Sequence, residues 1–94
     1  MNLEKVVKLC DALSHPLRLE ILYILSEKPM NIYELSKTLK VSRPVIYAHL
    51  KKLEASNLVE SEVILEGNRA KRIYKAKEFS FYIDNEKIKE LFKH

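Results

Sequence analysis

The segment from residue 31 to residue 53, NIYELSKTLKVSRPVIYAHLKKL, constrains the fold more than any other part of the chain. Its pattern predicts two short helices with a break at Lys40-Val41. Asn31, with Glu34 three residues later, predicts a capping box at the start of the first helix. The residues of this helix that we expect to face inward are Ile32, Leu35 and Leu39.

The second helix of this pair, residues 42–56, combines an apolar stripe with an exposed basic face. Ser42 is predicted to be its N-cap, and Pro44 is tolerated in the first turn, where backbone N–H groups have no helical partner. The inward residues at helical spacing are Ile46, Leu50 and Leu53, and those left outside are Arg43, Tyr47, Lys51 and Lys52. A tight helix pair with such a face is how proteins present a helix to the major groove of DNA.

Three further helices are predicted around this pair. Residues 3–13 form an amphipathic helix with an apolar stripe made of Leu3, Val6, Val7, Cys10 and Leu13. A helix from about Pro16 to Ser26, capped by Ser14, is apolar around most of its circumference, so we expect it to be the buried centre of the domain. The last helix should start at residue 84 or 85 and end at residue 93, with an apolar stripe made of Ile88, Leu91 and Phe92.

A β-hairpin is predicted between the helix pair and the last helix. Val59, Val63 and Leu65 alternate with glutamates in the run LVESEVILE, which is typical of a half-buried strand. Gly67-Asn68 predicts a two-residue hairpin turn before the second strand, RAKRIYKA.

Positive charge is concentrated in the middle of the chain. Residues 28–77 carry eleven basic and five acidic side chains, whereas residues 1–27 and 78–94 each carry three basic and four acidic ones. A polyanion is the expected partner of such a segment. A solvated surface that happens to be basic is the alternative, and charge alone does not decide between the two.

The sequence lacks the features expected of a membrane-spanning protein, a disulfide-bonded protein or an enzyme. No stretch is long and apolar enough to cross a membrane, and the N-terminus lacks the layout of a signal peptide. The single cysteine, Cys10, excludes an intramolecular disulfide, so we expect a reducing, cytoplasmic location. His15, His49 and His94 fall on different predicted elements, and the one glycine lies in a turn, which leaves no nucleophile–base pair and no phosphate-binding loop. We therefore expect neither an enzyme nor a cofactor.

The order of helix, helix, helix, recognition helix and hairpin is that of a winged helix-turn-helix, and residues 13–77 resemble regulators of the ArsR/SmtB type. LSHPLRLEILYIL resembles the second-helix signature of that family, MNIYELSKTLKVSRPVIYAHLKKLEASNLVE its helix-turn-helix, and EGNRAKRIYK its wing. The resemblance implies a mostly α-helical fold with one small antiparallel β-hairpin. It also implies a homodimer that binds double-stranded DNA and acts as a transcriptional repressor.

At 94 residues the chain should form one domain, residues 1–94, with a thin core. The resemblance places the dimer interface on the first and last helices, residues 1–13 and 84–94. Their stripes are more apolar than so small a domain needs to cover itself, which favours burial against a second copy. The residues expected at this interface are Leu3, Val6, Val7, Cys10, Ile88, Leu91 and Phe92. Redox sensing is the alternative role for Cys10.

The sequence departs from the metal-sensing members of the family. Those members carry a cysteine pair where this chain has residues 31–35, or a carboxylate–histidine set on the last helix. This chain has no thiol in MNIYEL and no Asp-x-His pairing in DNEKIKELFKH. One cysteine and three scattered histidines do not supply the converging ligands of a soft-metal site. We therefore expect no metal, and the effector stays unidentified.

Ten residues are predicted to contact DNA, from the recognition helix, 42–56, in the major groove and from the wing, 66–72, on the backbone or in the minor groove. They are Ser42, Arg43, Val45, Tyr47, Lys51, Lys52, Asn68, Arg69, Lys71 and Arg72. Arg43 is the candidate base reader because a guanidinium binds both acceptors of guanine, and a phosphate contact is its alternative. The two lysines should bind phosphates, and Tyr47 either contacts DNA or shields the helix edge. His49 is expected to be a packed or capping histidine rather than a base reader.

A winged-helix module that binds protein or RNA, without sequence-specific DNA binding, is the alternative function. Such a module would favour apolar or acidic residues at the positions of Arg43, Lys51 and Lys52. The basic residues found there therefore favour DNA.

Overall fold

The computed structural model describes residues 2–93, so His94 lies outside the described residues. Within that range the chain forms five helices and one two-stranded antiparallel sheet. In chain order the elements are α1 (Leu3–Ala12), α2 (Pro16–Glu27), α3 (Ile32–Leu39), α4 (Arg43–Ala55), β1 (Val59–Glu66), β2 (Arg69–Ala76) and α5 (Asn85–Phe92). The predicted fold class, mostly α with one small hairpin, is confirmed.

The core forms where α2, α3 and α4 meet the base of the hairpin. The predicted stripe of α4 is confirmed, because Ile46, Leu50 and Leu53 are all fully buried. The largest of the remaining fully buried side chains are Ile21, Leu35, Leu58 and Tyr74. α2 supplies Ile21, Leu22 and Leu25 to the core, as expected for the centre of the domain. Its outer side is not covered by other residues of the 2–93 range, since Leu19 is 50% and Tyr23 64% exposed.

The predicted capping box of α3 is present, and it fixes where the helix-turn-helix begins. The Asn31 side chain accepts a hydrogen bond from the Glu34 N–H at 2.8 Å, and the Glu34 carboxylate accepts one from the Asn31 N–H at 3.1 Å. These two bonds satisfy backbone donors that have no partner inside the helix. The helix stops at Leu39 because Lys40 adopts a left-handed conformation, with φ of 57°.

Of the two N-caps predicted for α2 and α4, the first is wrong and the second is confirmed in position. The N-cap of α2 is His15, whose Nδ1 accepts a hydrogen bond from the Leu17 N–H at 3.1 Å. Ser14 does not cap α2, because its hydroxyl donates to the Asp11 carbonyl at the end of α1. Ser42 does occupy the N-cap position of α4, but its side chain makes no capping hydrogen bond. Pro44, in the first turn, has no N–H to offer, which removes one of the two donors that a cap can serve.

The hairpin turn is confirmed, but the half-buried strand is confirmed only at its base. β1 and β2 pair from Val59 with Ala76 out to Glu66 with Arg69, and Gly67 takes a φ of +61° that favours glycine. Val59 is buried, whereas Val63 is 51% exposed and Leu65 is 76% exposed. The outer half of the hairpin extends away from the helices in a domain that measures 55 × 25 × 22 Å, and no residue from 2 to 93 covers it.

Candidate nucleic-acid interface

The outward face of α4 carries the residues predicted to read DNA. Ser42, Arg43, Val45, Tyr47 and Lys51 are all solvent-exposed. Helical periodicity explains the exposure of Val45, Tyr47 and Lys51, which lie away from the buried stripe. Ser42 and Arg43 are at the N-terminal end of the helix, four and three residues before Ile46.

Aromatic rings lie beside three of the cations on this surface. The Arg43 guanidinium carbon lies 5.2 Å from the centre of the Tyr33 ring, and the Lys37 ammonium lies 5.1 Å from the same ring. The Lys51 ammonium lies 5.5 Å from the centre of the Tyr47 ring. These are cation–π distances, so each ring favours a defined position for its cation. Tyr33 and Lys37 belong to α3 and were not among the predicted site residues.

An open groove joins the start of α3, the start of α4 and the middle of β2. Its lining consists of Asn31, Ile32, Tyr33, Arg43, Pro44, Tyr47, Ala70, Lys71 and Arg72. The fold thus brings predicted recognition-helix residues and predicted wing residues to one surface. Aromatic and basic side chains together are what a polyanion with stacked bases requires.

The strand register divides the basic residues of the wing between two faces. Arg72 shares a face with the buried Tyr74, two residues away, and its guanidinium donates to the Ser61 hydroxyl at 3.0 Å. Arg69 and Lys71 belong to the opposite face, where the Lys71 ammonium lies 3.5 Å from the Glu66 carboxylate. Asn68 is exposed in the turn. The three basic wing residues therefore do not all extend from one face of the hairpin, although Lys71 and Arg72 both line the groove.

Lys52 points toward α1 rather than standing free on the recognition helix. Its ammonium lies 2.9 Å from the Asp11 carboxylate, and both side chains are about half exposed. The hydrogen bond from Lys52 and its positive charge lower the pKa of Asp11. An exposed pair of this kind contributes little to stability, so a phosphate can replace Asp11 as the partner.

A buried arginine joins three helices, and the sequence analysis did not single it out. Arg18 donates from Nε to the Ala12 carbonyl at 2.8 Å and from Nη2 to the Asp11 carbonyl at 3.0 Å. Its Nη1 lies 3.0 Å from Nδ1 of His49 on α4. Pro16 was the feature of the sequence that could have predicted this contact. In a continued helix the N–H of residue 16 would donate to the Ala12 carbonyl, but proline has no N–H, so that carbonyl needs another donor.

His49 packs against this arginine and does not face the groove. Arginine can only donate, so Nδ1 of His49 must accept, and the ring is neutral with its proton on Nε2. The His15 ring lies 4.6 Å away, centre to centre. Burial, followed by the charges of His15, Arg18 and Lys52, lowers the pKa of His49. This is the packed histidine that the sequence analysis expected.

The predicted interface residues fall into two groups. Most are accessible, namely Leu3, Val7, Cys10, Ile88 and Phe92, and Leu91 is partly exposed. Val6 differs, because it is buried within the protomer. The inward face of α1 is made of Val6, Leu9 and Ala12. The predicted apolar stripe shares only Val6 with this face.

Among residues 2–93 no group of three or more histidine, cysteine, aspartate or glutamate side chains is placed to hold a metal ion. No helix of this part of the chain is long and apolar enough to span a bilayer. Metal-independence stays a prediction.

An exposed basic helix, held by a capped helix-turn-helix and flanked by a β-hairpin, defines a DNA-binding winged helix-turn-helix regulator, which is a non-enzymatic class. Within that class the chain belongs to the ArsR family, since residues 15–61 match the family model described as bacterial regulatory protein, arsR family. It is 66% identical to an HTH-type transcriptional regulator of Methanocaldococcus jannaschii, over the whole of this chain and 99% of that one.

Solved structures of ArsR-like proteins share the fold. An ArsR-like transcriptional regulator from Rhodococcus sp. RHA1 is 34% identical, with a TM-score of 0.67 over 79% of this chain and 64% of that one. A homodimeric winged helix-turn-helix DNA-binding domain from Mycobacterium bovis is 24% identical, with a TM-score of 0.68 over 79% of this chain and 65% of that one. The second similarity supports the fold alone. The predicted winged helix-turn-helix is thereby confirmed.

Proposed function

We propose that this chain is a homodimeric, cytoplasmic repressor that binds a specific sequence in double-stranded DNA. In this proposal residues 1–94 form one domain, residues 42–56 enter the major groove, and residues 66–72 lie on the backbone or in the adjacent minor groove. The observation that carries the proposal is the groove described above, where the first turn of α4 meets β2. A recognition helix and a wing that share one basic surface can contact the same duplex together.

The unpaired cations of α4 support this orientation. Within residues 2–93, Arg43 and Lys51 have no carboxylate within 4.0 Å, whereas Lys71 and Lys52 do. Unpaired cations bind phosphate or a guanine edge without first breaking an ion pair. We therefore assign the base-reading role to Arg43 and a phosphate contact to Lys51.

The exposed helices at the two ends of the described chain support the dimer. α5 has eight residues and none of them is buried, although Ile88, Leu91 and Phe92 lie along one stripe. A helix this short is not stable alone in water, so its apolar stripe needs a surface to pack against. Leu3 and Val7 on α1 expose a second apolar strip. A second copy would cover both strips and present two α4 helices related by two-fold symmetry.

Selection of bound duplexes from a random pool tests the DNA-binding part of the proposal. The expected result is a two-fold symmetric consensus, with protected half-sites centred about 34 Å apart. Binding without any sequence preference, or preference for RNA or a protein partner, would contradict it. Transcription in vitro from a promoter that carries the selected site should fall as the protein is added, and a rise would instead identify an activator.

Sedimentation of a charge-substituted variant tests the dimer. Val7→Glu combined with Phe92→Glu should yield a folded monomer, because both side chains are exposed in the protomer and each would bury a carboxylate at the interface. Leu65→Glu, an equally drastic change on the exposed wing, is the matched control and should remain dimeric. A wild-type monomer at micromolar concentration would overturn the dimer without touching the fold.

A further inference from the structure

Tyr33 lies at the start of α3, beside residues that the proposed function uses. Its ring is about half exposed and lines the same groove as Arg43, Pro44 and Tyr47. The Arg43 guanidinium carbon and the Lys37 ammonium each lie about 5 Å from its centre. No hydrogen bond or ion pair holds the Arg43 side chain elsewhere in residues 2–93, so the ring is its one specific contact.

A guanidinium that reads a base needs a defined orientation. Two parallel hydrogen bonds to guanine form only when the planar fork faces the base edge. A free arginine side chain samples many rotamers and loses that freedom when it binds, which lowers affinity for the preferred base. Aromatic faces hold guanidinium groups by cation–π attraction and stacking, and lysine is a point charge without this planarity.

We propose that Tyr33 is a positioning residue, whose ring orients Arg43 toward a guanine edge in the major groove. This inference rests on the proposed function and adds a determinant of sequence preference that lies outside the recognition helix. Lys37 lies over the same ring, but its ammonium is a point charge without the planar fork that reads a base edge. Because tyrosine carries no charge, its loss leaves the number of neutralised phosphates unchanged, so the effect falls on selectivity and not on non-specific affinity.

The test compares Tyr33→Leu with Tyr33→Phe in the full chain. Dissociation constants are measured on the duplex selected for the wild type and on the same duplex with the contacted guanine replaced. Tyr33→Leu should reduce the preference between these duplexes about three- to tenfold, the range expected for a partly desolvated cation–π contact. Tyr33→Phe keeps the ring and should keep the preference. The slope of affinity against salt concentration should be the same for all three proteins.

The arginine itself supplies the control for the mechanism. In an Arg43→Ala background the selectivity is already lost, so adding Tyr33→Leu should change it no further. Thermal unfolding midpoints of the variants are measured in parallel, and Tyr33→Gln replaces Tyr33→Leu if the latter unfolds below the assay temperature. Both substitutions remove the ring and predict the same loss.

Three results would overturn the inference. Equal weakening on both duplexes would make Tyr33 a general DNA contact, and a loss in Tyr33→Phe would assign the effect to the hydroxyl. An additive loss in the Arg43→Ala background would show that Tyr33 acts independently of the arginine. A wild-type protein with no duplex preference is a different outcome, since it refutes the proposed function itself.

Discussion

Arg18→Met should destabilise the protein, because Arg18 satisfies a carbonyl that no backbone group can reach. Ala12 is almost completely buried, and Pro16 has no N–H to donate to its carbonyl, so Nε of Arg18 at 2.8 Å is the donor that replaces it. Methionine preserves the apolar stem and removes the guanidinium. The substitution thus separates the hydrogen bonds from the packing.

The substitution removes a hydrogen bond from each of the three acceptors of Arg18, but the energetic cost differs among them. The Asp11 carbonyl keeps the Ser14 N–H and hydroxyl as donors, and His49 is only partly buried, so we expect its ring to bind water. Only the Ala12 carbonyl is left without a partner, at a cost of about 1–3 kcal/mol. Taking about 2 kcal/mol, a domain of this size should unfold roughly 10 °C lower.

This change is measured by chemical and thermal unfolding, monitored by circular dichroism. The protein concentration is held fixed, because the unfolding midpoint of a dimer depends on concentration. Arg69→Met removes one exposed positive charge and is the matched control, with an expected change within about 0.5 kcal/mol. Arg18→Lys keeps the charge but reaches fewer acceptors, so it should fall between the wild type and Arg18→Met. An Arg18→Met protein as stable as Arg69→Met would refute the argument that the Ala12 carbonyl depends on this side chain.

Three further outcomes are expected. The free energy of unfolding should fall below pH 6.5, because His49 binds a proton more readily in the unfolded chain than in the folded chain, where its pKa is lowered. His49→Asn retains an acceptor and does not titrate. In urea titrations at several pH values, this variant should therefore lose the dependence of unfolding free energy on pH that His49 causes. Asp11→Asn should free Lys52 and tighten binding to every duplex, by up to about fivefold in low-salt mobility shifts, with no change in preference. Lys51→Ala should weaken binding to all duplexes and lower the slope of log affinity against log salt concentration by about one unit. Arg43→Ala should reduce the binding free energy by about 1–3 kcal/mol on the preferred site alone. Equal losses on all duplexes would make Arg43 a phosphate contact.

The local features of the fold could be predicted from the sequence. The capping box at Asn31, the buried stripe of α4 and the turn at Gly67-Asn68 each depend on residues only a few positions apart. Helical and strand periodicity, together with capping and turn chemistry, act over that distance, so these features can be predicted from neighbouring residues alone. Their order along the chain predicted a winged helix-turn-helix, and the resemblance of its motifs to ArsR/SmtB-type proteins implied the class of regulator.

Contacts between distant residues were decided by the tertiary structure. Arg18 meets His49 across 31 positions and Lys52 meets Asp11 across 41, and no local pattern specifies either pair. The same holds for Tyr33 and Arg43, whose approach depends on the angle between α3 and α4.

Burial, too, depends on what covers a residue as well as on its apolar character. Val59 and Leu65 belong to one alternating pattern, yet only Val59 lies under the helices. The sequence alone therefore determined the elements and predicted which residues contact DNA. The tertiary structure decided which of those residues are paired, which are free and which share a surface, because these depend on distances in space that spacing along the chain does not encode.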